Sequence, residues 1–190
     1  DLMRLRAVRS AIGPKAELIA DANCGWDLEA AIDFARKAEA LDLAWLEEPV
    51  KANDRRALAL LAAVAPMPLG AGQMEQSADR FDLLAEAGVT MIQPNAVFAG
   101  GIGAAVTAAR GAVAHGLSVS PAGGWDLVNL QWMCGAMGAG AVELHRAQAR
   151  IVRLLTDTPP QMAAGMLVVS DAPGLGLAPD EAALAACRVG

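Results

Sequence analysis

Carboxylates recur at the ends of apolar runs in this chain. Ile19-Ala20-Asp21 closes one run, Trp45-Leu46-Glu47-Glu48-Pro49 another and Ala141-Val142-Glu143 a third. Strand side chains alternate between faces, so Glu47 and Glu48 cannot share one. One of the two points into whatever the strand end surrounds. A bare charge there, beside Trp45 and Leu46, is costly unless a cation or basic group meets it. The alternative is a strand that ends in a solvated charged loop. The residue closing each successive run is Asp21, Glu47, Gln73, Asn95, Ala122 and Glu143, at spacings of 26, 26, 22, 27 and 21 residues. Carboxylates at the ends of successive parallel strands can meet round one hard divalent cation, and Mg²⁺ takes oxygen ligands in an octahedral array. Asp21, Glu47 and an oxygen from the turn at 72–77 would serve, with Gln73 or Glu75 supplying the third. Gln73 and Glu75 could equally be ordinary polar residues at a helix start.

A spacing of that size holds one strand, one turn and one helix. Helical periodicity covers 1–12 and ends at Gly13-Pro14. Short apolar strands are expected at 17–20, 43–47, 68–71, 89–93, 117–120 and 141–144. Helices are expected between them at 28–41, 54–64, 78–87, 101–115 and 127–137, with Asp27 and Asp54 as N-caps. Such alternation with short connections means a parallel sheet with crossover helices. The regular spacing predicts an α/β fold, a (β/α) barrel of the TIM type, in which strand ends converge on one mouth. A doubly wound open sheet is the runner-up. It would carry a glycine-rich phosphate turn after its first strand, and Ala20-Asp21-Ala22-Asn23-Cys24-Gly25 is not one. A barrel has eight strands and six are counted, so the barrel is expected to be incomplete at its N-terminus. Residues 1–155 are assigned to this partial barrel. Residues 156–190 form a tail outside the repeat, with a loop at 156–163, a strand at 165–169 and a helix from Asp180.

Composition limits the partners. A net charge of -6 with no basic cluster argues against nucleic acid. Charges, Gly or Pro interrupt every apolar run before it reaches a membrane span. Three cysteines without metal-type spacing read as reduced thiols of a cytoplasmic protein.

With these pieces in order, the sequence resembles the enolase superfamily, in its mandelate racemase and muconate-lactonizing branch. The matching segments are Ile19-Ala20-Asp21-Ala22-Asn23, Trp45-Leu46-Glu47-Glu48-Pro49, Gly70-Ala71-Gly72-Gln73, Ile92-Gln93-Pro94-Asn95 with Gly100-Gly101, and Pro173-Gly174-Leu175-Gly176. The resemblance implies a modified barrel with a capping domain, on which the 156–190 tail would pack. It implies Mg²⁺ held at three consecutive strand ends and abstraction of the proton α to a carboxylate, so that the expected partners are a small-molecule carboxylate and further copies of the same chain. A Lys or His base working with Mg²⁺ is the chemistry of this superfamily. Carried over, the ligands are Asp21, Glu47 and position 73. Glu143 matches the carboxyl group that hydrogen-bonds the enediolate oxygen, and Asn23 would sit beside metal and substrate.

The chain departs from that pattern at three positions. Gln73 stands where a glutamate is usual, and Glu75 could take over. Asn95 stands where the racemase dyad has an aspartate, and Ala122 where it has a histidine. Asn cannot hold an imidazolium by charge, and Ala cannot move a proton. His145 lies two residues beyond Glu143 and could share its face, whereas His115 suits a helix C-terminus. Asn23 is also a natural Asx-turn residue, and Trp125 could wall the substrate pocket or cover the rim. The expected activity is dehydration of an acid sugar. Racemization, epimerization or cycloisomerization is the alternative, and a non-catalytic ligand-binding homologue the rival from another class.

Overall fold

The computed structural model describes residues 1–154, 156, 159 and 161–189. Helix α1 (Leu2–Ile12) is followed by β1 (Leu18–Asp21), α2 (Leu28–Ala38), β2 (Leu43–Glu47), α3 (Arg55–Ala62) and β3 (Leu69–Ala71). Then come α4 (Ala78–Glu86), β4 (Met91–Ile92), α5 (Ile102–Ala114), β5 (Ser118–Val119) and α6 (Asp126–Met137). The chain ends with α7 (Arg146–Leu154), β6 (Gln161–Ala163), β7 (Met166–Val168) and α8 (Glu181–Ala186). The caps are local chemistry: Asp27 Oδ1 accepts from Ala30 N at 2.9 Å, and Asp54 Oδ1 from Ala57 N at 2.7 Å. Arg9 ties α1 to the turn before β2, donating to the carbonyls of Leu41 and Asp42 at 2.9 and 2.8 Å.

Strands β1 to β5 form one parallel sheet in the order β1-β2-β3-β4-β5. Each crossover helix packs against the next. A doubly wound sheet reverses its strand order at a switch point, and this one never does. The unbroken order is that of a sector of a (β/α) barrel, with every strand's carboxyl end on the same rim. Apolar stripes at helical spacing cover the sheet: Ala31, Phe34, Ala35 and Ala38 on α2, and Ala105, Ala108, Ala109 and Ala112 on α5. Their small side chains let the helices lie close to the strands.

The structure corrects two expectations. Residues 141–144 do not form a strand. Glu143 N donates to Pro121 O at 3.0 Å, but the preceding ladder bond would need an N–H at position 121, which proline lacks. Ser120 Oγ reaches Ala141 O at 3.3 Å instead. Part of the expected loop at 156–163 is strand: Gln161–Ala163 pairs antiparallel with Met166–Val168. This hairpin and the end of α6 line opposite sides of a cleft containing Leu130, Val142, Met162 and Met166. The expected division between residues 155 and 156 falls at Leu155, outside the described residues, as do 157, 158 and 160 of the expected loop. Among the described residues no helix is long and apolar enough to cross a membrane.

Candidate active site

The first half of the rim is crowded with negative charge. Asp21 and Glu47 end β1 and β2 and are direct partners in the parallel register. Asp21 is exposed, and Asn23 folds back on it from the left-handed region, at φ 49°. The Asn23 backbone N–H and Nδ2 donate to Asp21 Oδ1 and Oδ2, both at 2.7 Å. Glu47 is buried, and its Oε2 accepts from Trp45 Nε1 at 3.0 Å and Gln93 Nε2 at 2.6 Å. Burial pushes both carboxyls above their ordinary range and is the largest cause for each. The bonds from Asn23, and from Trp45 and Gln93, pull them part of the way back. The charge of Glu143 raises both, and that of Asp21 raises Glu47 further. Three carboxylates from separated stretches therefore act on one another. Among the described residues none of the three is paired with a Lys or Arg.

Glu48 points away from Glu47, with its backbone at φ 40°. Its side chain is buried and accepts from Asn53 Nδ2 at 3.1 Å and Gln73 Nε2 at 2.5 Å. Both carboxylates of the Glu-Glu pair are therefore inside, and a solvated charged loop does not describe them. A carboxylate can only accept, so its bond fixes the Gln73 amide. Nε2 faces Glu48, and Oε1 lies on the side of Gly123. Glu75, the other candidate third ligand, is buried and bound by Arg80 Nε at 2.8 Å, so its charge is already matched. Among the described residues, no three His, Cys, Asp or Glu side chains lie close enough to hold a metal ion unaided. What the rim offers is two hard carboxylate donors, adjacent in register and unneutralised, with a neutral amide beside them. That donor chemistry fits a hard divalent cation completed by neutral oxygens.

The second half of the rim is held mainly by buried side-chain amides. Asn95 is fully buried; its Nδ2 donates to Ala122 O at 2.7 Å and Gly124 O at 3.4 Å, and its Oδ1 accepts from Val97 N at 3.0 Å. Asn129, on α6, donates to Gly124 O at 2.8 Å and accepts from Ala96 N and Trp132 Nε1 at 3.0 and 2.9 Å. The loop at 122–125 is thus clamped from two sides. It aims Gly124 N at Glu143 Oε2, 3.0 Å away. Ala122 is buried at the position expected for a dyad histidine. Trp125 is exposed at φ 55°, its backbone N–H bonded to Gln148 Oε1 at 3.1 Å. His145 Nδ1 accepts from Gln148 N at 3.3 Å, which makes it a cap for α7. His115 Nδ1 lies 2.9 Å from Gly111 O at the end of α5.

Gln93, Trp45 and Asn129 were not singled out from sequence. Trp45 stands two residues before Glu47 and so shares its strand face, a pattern that was there to read. Gln93 closes an apolar run directly before Pro94, as Glu47 does near Pro49. Asn129 has no local pattern, because its partners lie up to 33 residues away.

Residues 1–183 match the family described as enolase C-terminal domain-like. The chain is 38% identical over 122 residues to the L-talarate/galactarate dehydratase of Salmonella typhimurium, covering 64% of this chain and 31% of that protein. It is 26% identical over 180 residues to the arabinonate dehydratase of Saccharolobus solfataricus, covering 93% and 48%. The D-galactarolactone cycloisomerase of Agrobacterium fabrum is 29% identical over 203 residues, covering 100% and 53%. The chain thus spans between 31% and 53% of the length of these relatives. The crystal structure of the Salmonella dehydratase liganded with Mg and L-lyxarohydroxamate superposes at TM-score 0.87, with 32% identity over 97% of this chain and 46% of that one. A mandelate racemase/muconate lactonizing protein from Paracoccus denitrificans, complexed with magnesium, gives TM-score 0.87 at 30% identity, covering 97% and 51%.

Proposed function

Because the chain belongs to the enolase C-terminal domain-like family, in its mandelate racemase and muconate-lactonizing branch, we propose that the complete protein is a Mg²⁺-dependent acid-sugar dehydratase. The observation that carries this reading is the charge-crowded rim, where Asp21 and Glu47 sit in register with Glu143 acting on both. Asp21 and Glu47 would hold the ion, with Gln73 as a neutral neighbour; the pairing of Glu75 with Arg80 favours Gln73 over it. When bound, Mg²⁺ supplies Lewis-acid stabilisation of the charge that grows on the substrate carboxylate.

The reaction is proton removal α to that carboxylate followed by loss of the β-hydroxyl. The electron pair of the α C–H bond forms the enediolate. It then becomes the new C=C bond as the β C–O bond breaks and hydroxide departs with a proton from an acid. The resulting enol tautomerises to a 2-keto acid. Glu143, oriented by the Gly124 N–H, is the group we assign to the substrate oxygen on which charge collects, a role its carboxyl fills as a hydrogen-bond donor when it carries the proton. Asn23 stands beside Asp21 at the same opening. Trp125 is exposed on the loop that carries Gly124 and is assigned to the pocket wall. In this reading the base comes from the part of the longer relatives that the chain does not span.

The second half of the rim favours elimination over two-base racemization. A racemase needs a base on each substrate face. Here the amide of Asn95 is committed to two carbonyls, Ala122 carries no titratable group and His145 caps a helix. A general base contributes typically about 10²–10⁴-fold, so its absence from one face leaves one-sided chemistry. Incubating the complete protein with acid sugars and Mg²⁺ in deuterated water tests this. Formation of a 2-keto acid, or α-proton exchange from one stereoisomer only, is expected. Efficient exchange from both stereoisomers would favour the racemase or epimerase reading. No exchange with any acid would favour the ligand-binding one.

A further inference from the structure

Gln93 is one of the most deeply buried polar residues in the molecule, at 1% exposure, and it spends only half of its amide. Nε2 donates to Glu47 Oε2 at 2.6 Å, while Oε1 is buried with no hydrogen-bond partner among the described residues. An orphaned buried acceptor costs about 1–3 kcal/mol. A leucine at 93 would fill similar volume without that cost, so a role in folding alone does not account for a glutamine there.

The same Glu47 oxygen takes a second donor, Trp45 Nε1 at 3.0 Å, and Oε1 of Glu47 accepts no hydrogen bond among the described residues. The two donors come from different strands and converge on one oxygen. Space for them depends on Gly70. A Cβ there would lie 2.6 Å from Trp45 Cδ1 and 3.0 Å from both Trp45 Nε1 and Gln93 Oε1. Gly70 is not at positive φ. Its absent side chain therefore serves packing, and what it accommodates is this pair of donors.

We infer that Gln93 and Trp45 are positioning residues that lock one oxygen of the Glu47 carboxylate, so that the other is presented to the cation, and that Gly70 makes room for them. The inference rests on the reading of Glu47 as a metal ligand. Partners that hold a ligating carboxylate typically contribute about 10–100-fold in metal affinity when lost.

The test is calorimetric titration of the complete protein with Mg²⁺ alone, in wild type, Gln93→Leu, Trp45→Phe, Gly70→Ala, Asp21→Asn and Glu47→Gln. Gln93→Leu is expected to weaken Mg²⁺ binding about 10–100-fold without lowering the melting temperature of the metal-free protein. Trp45→Phe keeps a ring in the buried space and is expected to weaken binding by a smaller factor. It carries the test if Gln93→Leu fails to fold. Gly70→Ala should move affinity in the same direction. Dehydration by Gln93→Leu should recover towards the wild-type kcat as Mg²⁺ is raised, a recovery that a misfolded site would not show. Gln93→Leu and Trp45→Phe both binding Mg²⁺ within twofold of wild type, while Asp21→Asn and Glu47→Gln lose it, would overturn the positioning role and leave the metal site standing. Unchanged binding in Asp21→Asn and Glu47→Gln would overturn the metal reading and this inference with it.

Discussion

The two halves of the rim are built on opposite electrostatic plans. On the β1–β3 side, Asp21 and Glu47 stand next to each other with no Lys or Arg among the described residues paired to them; burial and the charge of Glu143 raise both carboxyls, and the charge of Asp21 raises Glu47 further. On the β4–α6 side, Asn95 and Asn129 use nearly every donor and acceptor they have, mostly on backbone atoms, and the buried Asp126 carboxylate is paired with Arg153. The first half gathers carboxylates that no Lys or Arg among the described residues meets, whereas the second is built mainly of paired polar groups. Buried polar networks that are fully satisfied rigidify a fold, and uncompensated charge is a cost that folding alone does not explain. The first half is accordingly where chemistry is expected. The second holds a loop in place so that Gly124 can orient Glu143.

The comparison predicts two classes of variant. In the second half, damage should appear as lost stability whether or not metal is present. Arg153→Met should give the largest effect. It leaves Asp126, whose side chain is 1% exposed and whose Oδ1 has no partner among the described residues, as a lone buried charge. Breaking one side of a buried pair costs about 3–5 kcal/mol. Denaturant unfolding of the complete protein should show this loss equally with and without Mg²⁺, and a loss that appears only without Mg²⁺ would erase the distinction between the halves.

In the first half the pattern should invert. Asp21 is exposed, and Asp21→Asn is expected to change metal-free stability by no more than about 0.5 kcal/mol, as for most surface substitutions. What it should lose is the metal-linked stabilisation, about 2.7 kcal/mol when free ion is 100 times its dissociation constant. Thermal melts with and without Mg²⁺ measure both quantities. A large metal-free loss would mean that Asp21 belongs to the scaffold.

Asn95→Ala should fall between these. It strips donors from two buried carbonyls and an acceptor from Val97 N, at about 1–3 kcal/mol. Glu143 then loses the fixed Gly124 N–H, so activity should fall further than stability, with Mg²⁺ affinity unchanged. Activity that tracks the folded fraction alone would reduce the clamp to a structural tie.

How much of this could be read from the chain follows the same division. The strand ends at Asp21 and Glu47 were legible because apolar alternation, a carboxylate and a helix cap lie within a few residues of one another. The barrel order followed from spacing. The second half was not legible in the same way. Asn95 and Asn129 act across 27 to 33 residues, and nothing local distinguishes Asn129 from an ordinary helix residue. The strand expected at 141–144 failed on the covalent chemistry of Pro121, a partner 22 residues before Glu143. Strand β6 was hidden because its pairing with β7 is a tertiary fact and prolines precede it. Gln93 lay within the matched segment Ile92-Gln93-Pro94-Asn95, yet its role depends on a carboxylate 46 residues earlier in the chain.

The smallest predicted effect uses a thiol to sense the charged half from inside. Cys24 follows Asn23 in the left-handed region, at φ 55°, and its Sγ lies 3.8 Å from Asn53 Oδ1, the residue that also holds Glu48. Its thiol is pushed above the ordinary range, first by burial and then by the charge of Glu48. Cys187 is exposed just after α8 and far along the chain from this cluster. Alkylation requires the thiolate, so at pH 8 iodoacetamide should modify Cys187 well before Cys24. Glu48→Gln removes the charge and keeps one acceptor oxygen, enough for Gln73 or Asn53 but not for both. Less charge makes the thiolate cheaper to form, so Cys24 should react faster. The gain is expected to be partial, because burial is the larger cause and is unchanged. Asn95→Ala, on the neutral side, should leave the Cys24 rate alone. If both substitutions moved Cys24 equally, the thiol would be reporting general loosening of the rim, and the contrast between its charged and neutral halves would lose this support.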